Sequence, residues 1–187
     1  MNKKIIKDGI LTRYTGSDDN VVIPDSVKAI VKSAFNDCSN LTNIIIPDSV
    51  TDIGTRAFCG CSSLKSITIP DSITKIGCFT FRDCSSLTNV TIPNSVTSIG
   101  SYAFSNCSSL TNIIIPDSVT DIGTRAFCGC ENLTSITIPD GVTSIGSYAF
   151  SNCSSLTSII IPDSVTDIGT RAFYGCENLI QRYKSQF

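Results

Sequence analysis

Apolar residues recur along this chain in a frame of 23 residues. Seven prolines, at 24, 47, 70, 93, 116, 139 and 162, mark that frame, and the chain has no others. With each proline counted as position zero, every repeat has valine or isoleucine at position three and isoleucine at position six. Phenylalanine fills position eleven, cysteine position fourteen and leucine position seventeen in every repeat. Two more apolar residues precede each proline, such as Ile44 and Ile46 or Ile67 and Ile69. They alternate with polar residues in a period of two, which predicts a short strand. Proline ends it, having no N–H for a central ladder. Asp or Asn follows, then Ser in six of the seven repeats, and both types favour turns by bonding nearby backbone. Glycine at position seven, in six of the seven repeats, is expected to supply a positive φ or a close contact. Ala, Phe and Cys at positions ten, eleven and fourteen have near-helical spacing, which predicts one or two turns of helix.

A period of this length is the signature of a solenoid, in which one small unit is stacked on itself. A single unit buries too little to offset its own ordering, so each layer depends on its neighbours. The stretch LTNIIIPDSVTDIGTRAFCGC occurs at 41–61 and again, letter for letter, at 110–130. What sets these two copies apart from most other repeats is an isoleucine at an outward strand position, an Asp–Arg pair four residues apart and a Cys-Gly-Cys.

The chain therefore reads as one domain over 1–187. Residues 1–20 form an N-terminal cap, 21–179 the seven repeats, and 180–187 a C-terminal cap or tail. Asp8-Gly9 between the apolar clusters Ile5-Ile6 and Ile10-Leu11 is a strong hairpin signal. It predicts a hairpin over 3–14 that covers the open end of the stack. At the other end Arg182 falls where an inward isoleucine would continue the repeat. A charge there is expected to stop further stacking.

The pattern Leu-x-x-Ile-x-Ile-Pro-x-x-Val-x-x-Ile-Gly-x-x-Ala-Phe-x-x-Cys resembles the 23-residue Treponema-type leucine-rich repeats of BspA-like proteins. The resemblance covers about residues 21–179. Residues 7–16, leading into Val21-Val22-Ile23-Pro24, are similar to the N-terminal cap of such proteins. The resemblance implies a right-handed, curved solenoid with a parallel sheet on its concave side and short helices or turns on its convex side. It also implies a family often found on microbial surfaces, in adhesion to host proteins or in co-aggregation. No catalytic residues come with it.

Outward strand positions on the concave sheet are then the candidate partner-binding residues. They are Asn43, Ile45, Ser66, Thr68, Asn89, Thr91, Asn112, Ile114, Ser135, Thr137, Ser158 and Ile160. Such a face is uncharged, with small polar and β-branched groups and three apolar contacts, and it suits a protein or glycan partner. The alternative is a structural scaffold inside the cell with no dedicated ligand. A net charge of −2 gives no reason to expect nucleic acid, and no apolar run is long enough for membrane insertion. A monomer is expected. The start at Met1 predicts a cytoplasmic chain if that is the native start, and a surface or secreted one if a leader was removed.

Other polar groups recur as columns, which points to structure. The chain has no histidine, so neither a Ser-His nor a Cys-His pair can form, and no enzyme activity is expected. Neither metal nor cofactor is expected. The position-fourteen cysteines, Cys38 to Cys176, are expected to be buried thiols, since in-register neighbours do not offer disulfide geometry. Cys59 and Cys128 are the expected exposed thiols. Asp25, Asp48, Asp71, Asp117, Asp140 and Asp163, with Asn94, are expected to cap their own turns. Asp52–Arg56, Asp121–Arg125 and Asp167–Arg171 are expected to pair on a solvated face.

Overall fold

The computed structural model describes residues 4–180 and the backbone of 182–183. The N-terminal hairpin joins β1 (Lys4–Lys7) to β2 (Ile10–Tyr14), antiparallel, with a bulge between Ile5 and Ile6. Asp8 and Gly9 both take positive φ, 51° and 75°, as the tight turn of a twisted hairpin requires. Residues 1–3, at the edge of this expectation, lie outside the described residues.

Each repeat adds one layer to two parallel strand columns. The first column, just before each proline, runs through β3 (Asn20–Val22), β5 (Asn43–Ile45), β7 (Ser66–Thr68) and β9 (Asn89–Thr91). It resumes with β12 (Ser135–Thr137), β14 (Ser158–Ile161) and β16 (Arg182–Tyr183). The second column contains position six. It holds β4 (Ala29–Ile30) and β6 (Asp52–Ile53), then β8 (Lys75–Ile76), β10 (Ser98–Ile99), β11 (Asp121–Ile122), β13 (Ser144–Ile145) and β15 (Asp167–Ile168). The hairpin docks on this second column, β2 pairing with β4.

Between the columns lies the core. Phe35, Phe58, Phe81, Phe104, Phe127, Phe150 and Phe173 stack with ring centroids 5.2–5.6 Å apart, and Tyr14 of the hairpin closes the row on Phe35 at 5.2 Å. Each such pair is worth about 0.5–1.5 kcal/mol beyond the area it buries.

The expected convex helix does not form. Among the described residues there is no helix, and positions eight to thirteen are consecutive tight turns. The N–H groups alternate in their direction. Ala34 and Cys38 bond back to Val31 and Phe35 at 3.2 Å, whereas Phe35 and Asp37 donate to Ala57 and Cys59 of the next layer at 2.8 and 2.7 Å. The turns need left-handed residues at positions nine and thirteen. At thirteen these are Asp37, Gly60, Asp83, Asn106, Gly129, Asn152 and Gly175, types that accept a positive φ. At nine they are Ser33, Arg56, Phe79, Tyr102, Arg125, Tyr148 and Arg171, with φ of 55–60°. A bulky residue held there stores on the order of 1 kcal/mol of strain.

Position-seven glycines are absent from the positive-φ residues. They permit close approach instead. A Cβ on Gly123 would stand 2.6 Å from the Ser101 nitrogen and 2.7 Å from the Gly100 carbonyl carbon. Val31 is tolerated in the first repeat, where the hairpin and not another repeat is the neighbour.

The second column breaks once, between β6 and β8. Gly54 and Gly100 donate to Ile30 and Ile76 at 2.8 Å, but the matching bond from Gly77 to Ile53 does not form among the described residues. Thr80 explains the break. It fills position ten, where the other repeats carry alanine, is almost fully buried, and bonds its hydroxyl to the Gly77 carbonyl at 2.8 Å. The extra atoms wedge the layers apart and leave a void of about 10 Å³ against Ile53, Ile69 and Phe81. Thr80→Ala is expected to close the break and stabilise the protein by about 1 kcal/mol, the worth of one regained backbone bond. Thermal unfolding should shift upward and the Gly77 amide should gain exchange protection; an unchanged or lower midpoint would contradict the wedge.

At the C-terminus Arg182 pairs in register with Ile160, and Tyr183 with Ile161. The register is shifted by one from the repeat frame, so Arg182 stands opposite an outward position and not the inward one expected. The strand continues the ladder despite the charge. Residues 184–187 lie outside the described residues.

Candidate functional site

Strands β3, β5, β7, β9, β12 and β14 of the first column share one burial pattern, exposed–buried–exposed over their first three residues. The alternation puts Ile44, Ile67, Val90, Ile136 and Ile159 in the core. It leaves Asn43, Ile45, Ser66, Thr68, Asn89, Thr91, Ser135, Thr137, Ser158 and Ile160 exposed in one strip. Asn112 and Ile114 are exposed as well. No charged side chain interrupts these positions. Ile114 is 76% exposed, against 54% for Ile45 and 51% for Ile160.

Residues 112–114 lie on the strip but are not in a strand. Their sequence is identical to that of β5, so the difference comes from the neighbouring layers. The first column opens between β9 and this segment. A cleft of about 400 Å³ lies there, lined by Thr88–Ile92 and Thr111–Ile114. The core beneath stays closed, with Phe81, Phe104 and Phe127 stacked at 5.3 and 5.4 Å.

A threonine ladder runs along the strip's margin. Thr42, Thr88, Thr134 and Thr157 each bond their hydroxyl to the carbonyl one layer back, at 2.8–3.2 Å. This rigidifies the edge of the candidate surface.

Cysteine behaves as a buried column. Cys61, Cys84, Cys107, Cys130, Cys153 and Cys176 each donate a thiol hydrogen bond to the phenylalanine carbonyl of the preceding layer at 3.0–3.3 Å. Burial pushes the Cys61, Cys84, Cys107 and Cys130 thiols far above the usual range. Cys38 and Cys176, at the two ends, are half-buried, as are Cys59, Cys78 and Cys128. The Cys-Gly-Cys thiols are thus less accessible than their turn position suggests.

Two expectations are corrected. The aspartates after the prolines are exposed, and among the described residues none accepts a hydrogen bond in its own turn. The turn is closed by backbone, as from the Val50 N–H to the Pro47 carbonyl at 3.0 Å. The neighbouring serine also ties layers together: Ser49, Ser95, Ser118 and Ser164 donate to the position-three carbonyl one layer back at 2.6–2.8 Å.

Nor do Asp52–Arg56, Asp121–Arg125 or Asp167–Arg171 pair among the described residues. Without a helix, positions five and nine do not face each other. The arginines turn to nearby aromatic rings, most of them in adjacent layers. Arg56 lies 4.8 Å from the Phe79 centroid, and Arg125 lies between Tyr102 and Tyr148 at 5.5 and 4.8 Å. Arg171 lies between Tyr148 and Tyr174 at 6.0 and 5.6 Å. Arg125 also donates to the Tyr102 hydroxyl at 2.7 Å, which holds its guanidinium charged. Sequence reasoning missed this row; the run of Arg and aromatic residues at position nine, from Arg56 to Arg171, was its signal.

Comparison with known proteins agrees with this architecture. The sequence profile described as BspA type leucine rich repeat region matches in six copies, over residues 5–134 and 97–184. A leucine-rich repeat protein of T. pallidum (TpLRR) is 34% identical, with a TM-score of 0.84, over 91% of this chain and 82% of that one. A leucine-rich repeat protein of Bacteroides ovatus is 36% identical, with a TM-score of 0.84, over 91% of this chain and 46% of its own. One from Eubacterium ventriosum is 32% identical, with a TM-score of 0.84, over 97% of this chain and 49% of its own. The chain thus spans about half the length of these last two proteins. A search among curated proteins finds no match. The 23-residue frame, the stacked core and these likenesses place the chain in one family: it belongs to the BspA-type leucine-rich repeat proteins.

Proposed function

We propose that this protein is a non-catalytic binding module whose concave strip contacts a protein or glycan partner. The observation that carries the reading is the strip itself: twelve outward residues, none charged, with Ile45, Ile114 and Ile160 more than half exposed. Isolated apolar groups are ordinary on a surface, but here three recur on one face, among hydroxyls and amides that can bond a partner. The isoleucines favour a protein over a glycan. Adhesion at a cell surface is the finer form of this proposal, supported by the family and not by a feature of the strip.

The test uses the purified full chain on an array of defined glycans and a panel of purified proteins, beside Ile45→Lys/Ile114→Lys. Both positions are exposed, so circular dichroism should be unchanged. The double variant is expected to weaken any concave-face binding by about tenfold or more, as when charges enter an apolar contact. Binding that is unchanged in the variant moves the site elsewhere on the molecule.

A further inference from the structure

Positions nine and thirteen of each repeat share one backbone constraint, a positive φ, yet the sequence fills them differently. Position thirteen takes Gly, Asn or Asp, the residues that accept this conformation. Position nine takes Arg, Tyr or Phe in six of the seven repeats. Glycine would relieve the strain there too. Retaining large side chains at a strained position points to use of those side chains.

Tyr102, Arg125, Tyr148, Arg171 and Tyr174 form an alternating row outside the concave strip, with each guanidinium held between two rings. Each guanidinium lies within 6.0 Å of two ring centroids, and the N–H groups not taken by the tyrosine hydroxyls are left for a ligand. One Arg125 donor is used by Tyr102 and one Arg171 donor by Tyr148, at 2.7 and 3.3 Å. No carboxylate pairs with either arginine among the described residues. Arg82, by contrast, is engaged by Asp83 at 3.2 Å. Planar, pre-oriented guanidinium groups are suited to carboxylate and sulfate.

Their spacing narrows the ligand. Arg125 and Arg171 stand two layers apart, about 10 Å at the spacing of paired strands. That is the length of an extended disaccharide, whereas consecutive phosphates of a nucleic acid strand lie much closer. We infer that the Arg125–Arg171 row, held between the tyrosine rings, binds a linear acidic polysaccharide bearing an anionic group on every second sugar.

The test measures binding of the full chain to immobilised heparin and chondroitin sulfate at physiological ionic strength, with neutral dextran and single-stranded DNA as comparisons. Arg125→Gln/Arg171→Gln is compared with Lys28→Gln/Lys65→Gln, which removes equal charge from exposed positions elsewhere. The arginine variant is expected to lose about tenfold or more in affinity, as for two charge-assisted contacts, and the lysine variant less than about twofold. Arg125→Lys/Arg171→Lys should fall between wild type and the glutamine variant, because the charge remains without the planar fork. Equal losses in the arginine and lysine glutamine variants would overturn the inference. So would failure of the wild type to bind either acidic polysaccharide, or equal or tighter binding to DNA. The concave-face variant Ile45→Lys/Ile114→Lys should leave heparin binding through the Arg125–Arg171 row intact, so the two proposals fail separately.

Discussion

Phe104→Ala is expected to destabilise the protein by about 3–5 kcal/mol, the range for deleting a large buried aromatic side chain. Phe104 is fully buried and lies between Phe81 and Phe127, at 5.3 and 5.4 Å. Its loss removes two ring contacts and opens a cavity that rigid layers above and below cannot close. The melting temperature should fall by roughly 10 °C, given a few degrees per kcal/mol at this chain length. Phe173→Ala is the comparison. Phe173 is half-buried, and its described ring contact is to Phe150. Its substitution should cost clearly less. Equal losses at the two positions, followed by thermal unfolding, would mean that stability is not carried by a continuous stack.

Gly123→Ala should cost about 3 kcal/mol, at the upper end for overpacking a tight core. The added methyl meets the Ser101 nitrogen and Gly100 carbonyl carbon, which are backbone atoms and cannot rotate away. To admit it, the layers must part, which weakens the bond from Gly123 N–H to the Ile99 carbonyl at 2.8 Å. Gly129 makes the contrast. Its φ is 76°, and the atom nearest an added Cβ is the Asn106 side-chain oxygen, which can move. Gly129→Asn should be nearly neutral, since Asn106 and Asn152 fill the equivalent position with φ of 61° and 59°. Chemical denaturation of the two variants decides the matter; a greater loss at Gly129 would show that backbone conformation, and not layer spacing, governs glycine use here.

Much of this was legible from the sequence because stacking imposes one rule on every layer. Proline, isoleucine, phenylalanine and leucine at fixed positions specified the core columns, and Asp8-Gly9 specified the hairpin. The convex turns were misread because Ala, Phe and Cys at positions ten, eleven and fourteen have the spacing of a helix face. The correcting signal lay at position thirteen, where Gly60, Asn106, Gly129, Asn152 and Gly175 are poor helix residues and good left-handed ones. That error also produced the mistaken Asp–Arg pairs, which assumed helical neighbours. The opening at Asn112–Ile114 was beyond reach of local reading, since the same letters form a strand at Asn43–Ile45. The Arg182 register, opposite Ile160, departs by one residue from the 23-residue frame, so the frame alone could not give it.

The thiol ladder has a consequence for where such a protein can work. A chain with ten cysteines is ordinarily committed to one chemical environment, reducing or oxidising. Here the core column spends its thiols as hydrogen-bond donors to phenylalanine carbonyls, and burial keeps the interior ones from ionising. Attack on a disulfide or an oxidant requires a thiolate. The five interior thiols are therefore shielded from the redox state of their surroundings, and only the half-buried cysteines, at the column's ends and in the turns, are left to respond to it.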